Sequence, residues 1–157
     1  MDDLSTKAFE HAWRYFELHA QQRMTVFNFF LFLVGLVGAG IATSAQAAKE
    51  LALLSLFLGL LLAFTSFIFW KLDQRVSVLM KRAEVAMALL EPHLPNDAAR
   101  LFSGEPPLTA EACMSGNVWT RHWTYGRSFR VTFCTTGAFG VLAAFASGLR
   151  LAGVLQW

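Results

Sequence analysis

The groups from which this 157-residue chain could build catalysis or hold a metal are four histidines (His11, His19, His93, His122), two cysteines (Cys113, Cys134) and 11 carboxylates. A histidine would supply a base near neutral pH, and a cysteine beside it a nucleophile. Their spacing does not assemble them. None falls into HExxH, CxxC, GxSxG or a glycine-rich phosphate loop. His93 and Asp97 have the spacing of one helix face, but Pro95 between them breaks that geometry. Cys113 and His122 could pair as nucleophile and base, an enzyme reading that lacks a third, orienting residue. His11 and His19, on one helix, read as packed or interfacial side chains. Two cysteines are too few for a disulfide framework or a four-thiolate zinc site. The chain therefore reads as a non-enzyme with no cofactor and no metal.

Composition points to lipid instead. The chain is 55% hydrophobic and 15% charged, with a mean hydropathy of +0.45, whereas a soluble domain carries about a quarter charged residues. A net charge of +2 is too small for a nucleic-acid binder, and no direct nucleic-acid partner is expected.

Three uncharged runs have the length that an α-helix needs to cross a hydrocarbon core of about 30 Å. They are residues 24–43, 51–70 and 131–149, and each is apolar around its whole circumference rather than along one stripe. Segment 44–50 is a short external link, so the first two spans form a hairpin. Carboxylates at Asp2, Asp3, Glu10 and Glu17 precede the first span, which argues for an anchor rather than a cleaved signal peptide. Lysine and arginine set the orientation. Three lie before span one and eight between Lys71 and Arg130, against one in the link and one in the tail. The N-terminus and middle segment are expected in the cytoplasm of a bacterium with the spans in its inner membrane, and the tail 150–157 outside.

Two helical stalks should continue the first two spans. Residues 1–23 place Phe9, Trp13, Phe16 and Ala20 on one face, and neither proline nor glycine occurs before Gly35. Segment 71–91 carries Leu72, Val76, Leu79, Ala83, Ala86 and Leu90 at heptad spacing and stops near Pro92. These stalks pack on each other, serve as an oligomerisation or sensing device, or do both. Segment 92–130 reads as a loop with short helices, one of them at 96–102. It ends in an interfacial stretch in which Trp119, Trp123, Tyr125, Arg127 and Arg130, with Trp70 across the way, anchor the headgroup layer.

Within the spans the informative residues are small. Gly35 with Ala39, Gly59 with Ala63, and Gly140 with Ala144 and Gly148 recur at four-residue spacing, which lets helices approach closely within or between subunits. No Asp, Glu, Lys or Arg lies inside any span, which excludes a charge-coupled transporter. Asn28, Thr132 and Thr136 are the candidates to line an oligomeric pore.

The runs WRYFELHAQQRMTVFNFF (Trp13–Phe30) and FWKLDQRVSVLMKRAEVAMALLE (Phe69–Glu91) resemble small bacterial multi-pass membrane proteins. Over residues 10–91 the layout is similar to the SLATT and RipA-like families. For SLATT proteins, that resemblance implies a pore-forming or membrane-disrupting effector in bacterial conflict systems, released by a nucleotide signal or a protein partner; it assigns no ligand site. The expectation is thus an all-α membrane protein with three transmembrane helices, acting as a homo-oligomeric regulated pore or effector. The alternative is a non-conducting scaffold whose stalks recruit a cytoplasmic partner.

Overall fold

The computed structural model describes residues 3–47, 49–93, 101–104 and 123–155. Among these there are three long helices and no strand. Helix α1 (Asp3–Gln46) is followed by a 3-10 turn (Lys49–Leu51), helix α2 (Ala52–Leu90), a second 3-10 turn (Glu91–His93), a helical turn at 101–104 and helix α3 (Tyr125–Leu151). All three helices are long and apolar enough to cross a membrane. The fold is that of an all-α membrane protein.

Each helix runs as far as its chemistry permits. Helix α1 passes unbroken through Gly35, Gly38 and Gly40, because in lipid no water is on hand to take up a broken backbone hydrogen bond. Helix α2 stops at Leu90, two residues before Pro92. Helix α3 begins at Tyr125, so Tyr125 to Arg130, expected in the interfacial end of segment 92–130, belong to the same helix as the third span. It ends on Gly153, which takes φ +77°, the left-handed conformation that a glycine adopts without strain. There Val154 N donates to Leu149 O at 3.0 Å and Gly153 N to Arg150 O at 3.1 Å, a Schellman cap.

The chain divides into two compact units, Met1–Met24 with Gln74–Arg127 and Thr25–Asp73 with Ser128–Trp157. In the first, Ala12, Ala83 and Met87 form the buried centre, with Phe9, Phe16, Ala86 and Phe102 packed around them. The expected seam is rephased here. Ala83 is buried, but Leu72 is 44% exposed and the buried line passes from Ala83 to Met87 and Glu91, whereas Val76, Leu79, Ala86 and Leu90 are half-buried. A 3.6-residue helix drifts by about 20° per heptad from a strict seven-residue repeat, which carries the contact line off the spacing read from sequence.

In the second unit α1 buries Phe30, Val37, Ile41 and Ser44 along one face. Phe30 meets Phe133 edge-on at 4.8 Å and Phe27 stacks on Phe129 at 4.1 Å, while Val37 and Ile41 pack with Leu62, Leu58 and Ala143. Helices α2 and α3 cross at their small residues. A Cβ on Gly59 would stand 2.7 Å from both Gly140 O and Ala144 N, and one on Gly140 would stand 2.7 Å from Gly59 O and Ala63 N. Backbone therefore lies against backbone, and neither side can yield.

Gly59→Ala is accordingly expected to destabilise the protein by about 1–3 kcal/mol, the cost of overpacking a close contact. Gly35→Ala, whose Cβ would meet nothing within 4 Å, should be neutral or stabilising by up to about 1 kcal/mol. Unfolding of the two variants in detergent by denaturant titration checks both; equal effects would contradict the packing described.

Candidate functional site

Residues with potential chemistry are dispersed. His11 is exposed, and His19 uses Nδ1 on its own helix, 2.7 Å from Tyr15 O. Cys134 is exposed on α3. Cys113, His122, Asp97, Trp119 and most of the expected helix 96–102 lie outside the described residues. Among the described residues no group of three His, Cys, Asp or Glu side chains could hold a metal.

The membrane faces of the second unit carry more information. Of the three residues expected to line a pore, Asn28 is exposed, whereas Thr132 and Thr136 are half-buried on the side of α3 that also holds Phe133 and Gly140. Thr132 Oγ1 donates to Ser128 O at 3.0 Å. Thr43, Ser44, Thr65, Ser66 and Thr135 likewise donate to carbonyls three or four residues back in their own helices. That arrangement satisfies a hydroxyl in lipid without any partner from outside. The small residues separate into two sets. Gly59, Ala63, Gly140 and Ala144 meet within the subunit, and a Cβ on Gly148 would stand 3.7 Å from Leu56 Cδ1. Gly35 and Ala39 are exposed on α1.

Two contacts in this unit lie beyond what local spacing reveals. Ser147 Oγ and Ser55 Oγ meet at 2.9 Å in the buried α2–α3 interface. Arg150, 8% exposed, donates to Ala45 O at 2.8 Å and Ala47 O at 2.7 Å. Its guanidinium thereby caps the C-terminal carbonyls of α1 and complements the negative end of that helix. This cap explains why α1 stays helical to Gln46, three residues past the expected end of the span. The interfacial aromatics and bases pair within each unit. Lys71 Nζ lies 5.0 Å over Trp70 in the second, and Arg127 Cζ lies 5.0 Å over Trp123 in the first. Tyr125 and Arg130 are exposed.

The first unit holds a buried carboxylate that sequence reasoning passed over. Glu91, 1% exposed, accepts hydrogen bonds from Phe102 N at 2.6 Å and Ser103 N at 2.8 Å. It fastens the turn at 101–104 to the end of α2, and Phe102 in turn meets Trp13 and Phe16 edge-on. Burial pushes the Glu91 carboxyl up, but hydrogen bonds from Ser103, Phe102 and Leu101 outweigh it and hold the group below its ordinary value. An acidic residue next to Pro92 was the only signal available in the sequence.

Comparison with known proteins places this architecture among relatives. The octameric membrane protein family (8xMP) matches residues 6–149, taking in all three spans. That match supports the membrane-protein part of the resemblance but not the SLATT and RipA-like groups specifically. A protein from Escherichia coli named CD-NTase-associated protein 19 is 44% identical over 144 residues, 92% of this chain and 93% of its own. No solved structure matches.

Because the folded pKa of Glu91 is depressed, the clamp contributes fully above the ordinary carboxylate range and is lost as pH falls through the folded value. Hydrogen exchange of the Phe102 and Ser103 amides should show protection at neutral pH that disappears on acidification. Glu91→Gln should lower it about tenfold at neutral pH, given about 1.5 kcal/mol for a charge-assisted hydrogen bond. Unchanged protection in that variant would remove the clamp.

Proposed function

The chain belongs to the octameric membrane protein family, and from that membership we propose that its copies assemble in a bacterial inner membrane as a regulated pore or membrane effector of a defence system. The observation that carries the reading is the family match over residues 6–149. The relative named as CD-NTase-associated supports a setting in which a nucleotide signal or a cytoplasmic protein partner controls the assembly. The layout shared with SLATT and RipA-like proteins is consistent with an effector. The protein acts without catalysis of its own, and the bias of lysine and arginine favours the N-terminus and the segment 71–130 in the cytoplasm and the C-terminus outside.

Geometry makes assembly necessary for a pore. Within the apolar 18-residue stretch of each helix, only 17%, 28% and 17% of the residues are buried inside the subunit. Three helices packed on phenylalanines and glycines enclose no water path, so a wall must come from several copies. Asn28, exposed on α1, is the polar side chain best placed to line it. Thr132 and Thr136 face the helix core and would join the wall only if α3 turned.

One observation favours a second reading, a non-conducting scaffold. The hydroxyls of the spans already bond to their own helices, so lipid alone satisfies them. Recording of the purified protein in a planar bilayer separates the two. A pore gives discrete current steps whose size falls in Asn28→Leu; a defined oligomer that stays silent with and without added cytoplasmic partner supports the scaffold.

A further inference from the structure

We infer that the groove between α2 and α3 is the seat for the outward face of α1 from a neighbouring copy, so that one head-to-tail contact, repeated, builds a ring. The inference rests on the assembly proposed above and names the surfaces that make it.

The first surface is a row on α1. Asn28, Phe32, Gly35, Ala39, Ala42 and Gln46 are all exposed, at spacings of four and three. Each of the buried residues Phe30, Val37, Ile41 and Ser44 follows a member of this row by two positions, about 200° around the helix. The row therefore points directly away from α2 and α3. Facing lipid, small residues gain nothing. Against a second helix, Gly35, Ala39 and Ala42 permit close approach.

The second surface is an apolar groove of about 480 Å³. Leu56 and Leu60 of α2 and Val141 and Phe145 of α3 form its walls, with Ala144 and Gly148 among its lining. Leu58, Leu62 and Ala143 pack toward α1. Each wall residue lies two positions from one of these, so the groove opens on the side of α2 and α3 remote from α1.

The two surfaces match in position as well as in shape. Phe30 packs on Phe133, and Arg150 reaches the carbonyl of Ala45. With α1 and α3 in that register, Ala42 stands level with Phe145 to Ser147, within the groove's span. Asn28 lies roughly 16 Å from Ala39 along the helix axis, at the end of the row and outside the groove. A ring of more than two identical subunits needs two different complementary faces, whereas a face that pairs with itself closes at two. The family's description as octameric makes a second copy the occupant, and this subunit carries one such face on each side.

Disulfide cross-linking tests the seat in the full chain with Cys113→Ser and Cys134→Ser as background. The pair Ala42→Cys and Phe145→Cys, oxidised in the membrane, should give a ladder of cross-linked subunits rising to eight, whereas either substitution alone gives none. Ala39→Cys with Val141→Cys should repeat the result and serves if the first pair fails to fold. Three results would overturn the inference. No ladder from a sample whose native mass is oligomeric would mean that lipid chains fill the groove, with the assembly itself intact. Dimers from Ala42→Cys alone would mean that α1 rows face each other. A monomeric native mass would remove the seat and the assembly together.

Discussion

Where α2 and α3 cross, Gly59 and Gly140 leave no room for a side chain, and the backbone of one helix rests on the other. This contact determines which faces of the two helices meet. Ser55 and Ser147 come into hydrogen-bonding distance nearby. Ser66 Cβ lies 3.4 Å from where a Cβ on Gly137 would sit. With those faces joined, Leu58, Leu62 and Ala143 are left to receive α1 through Val37 and Ile41, and the remaining faces of α2 and α3 form an open apolar groove. Van der Waals packing of this kind, rather than burial from water, is the main source of helix association in lipid.

The same solvent governs the polar groups. Serine and threonine hydroxyls donate to carbonyls of their own helices, and where α1 runs out of internal partners Arg150 supplies them. Glu91 performs the corresponding task in the first unit for Phe102 N and Ser103 N. Both charged groups are buried at helix ends with hydrogen bonds on the charged head, the condition under which burial of a charge is tolerated.

Spans were legible because nineteen or twenty uncharged residues in a row have few other uses, and the unbroken start of α1 because proline and glycine are absent from the first thirty-four residues of the chain. The small residues were legible as a class but not by assignment. Gly59 and Gly140 meet inside the subunit and Gly35 does not, a division that depends on helix rotation rather than on spacing. Met87 escaped notice because the contact line drifts off the heptad. Arg150 and Glu91 escaped because their partners are 105 and 11 residues away, and no local pattern announces such a pair. The pore-lining set divided for the same reason: Asn28 and Thr136 are both polar and both inside spans, but only one faces outward.

On the proposed seat, Gly59 and Gly140 of α2 and α3 serve packing within the subunit, and the small residues of α1 serve packing between subunits. Native mass of the protein in lipid nanodiscs, measured for the unmodified chain and for Ala39→Trp, tests that division most directly. The account predicts an octamer for the first, and for the second a subunit of unchanged helix content that no longer assembles, since the indole holds neighbouring helices apart. An Ala39→Trp assembly of the same mass as the unmodified protein would contradict it.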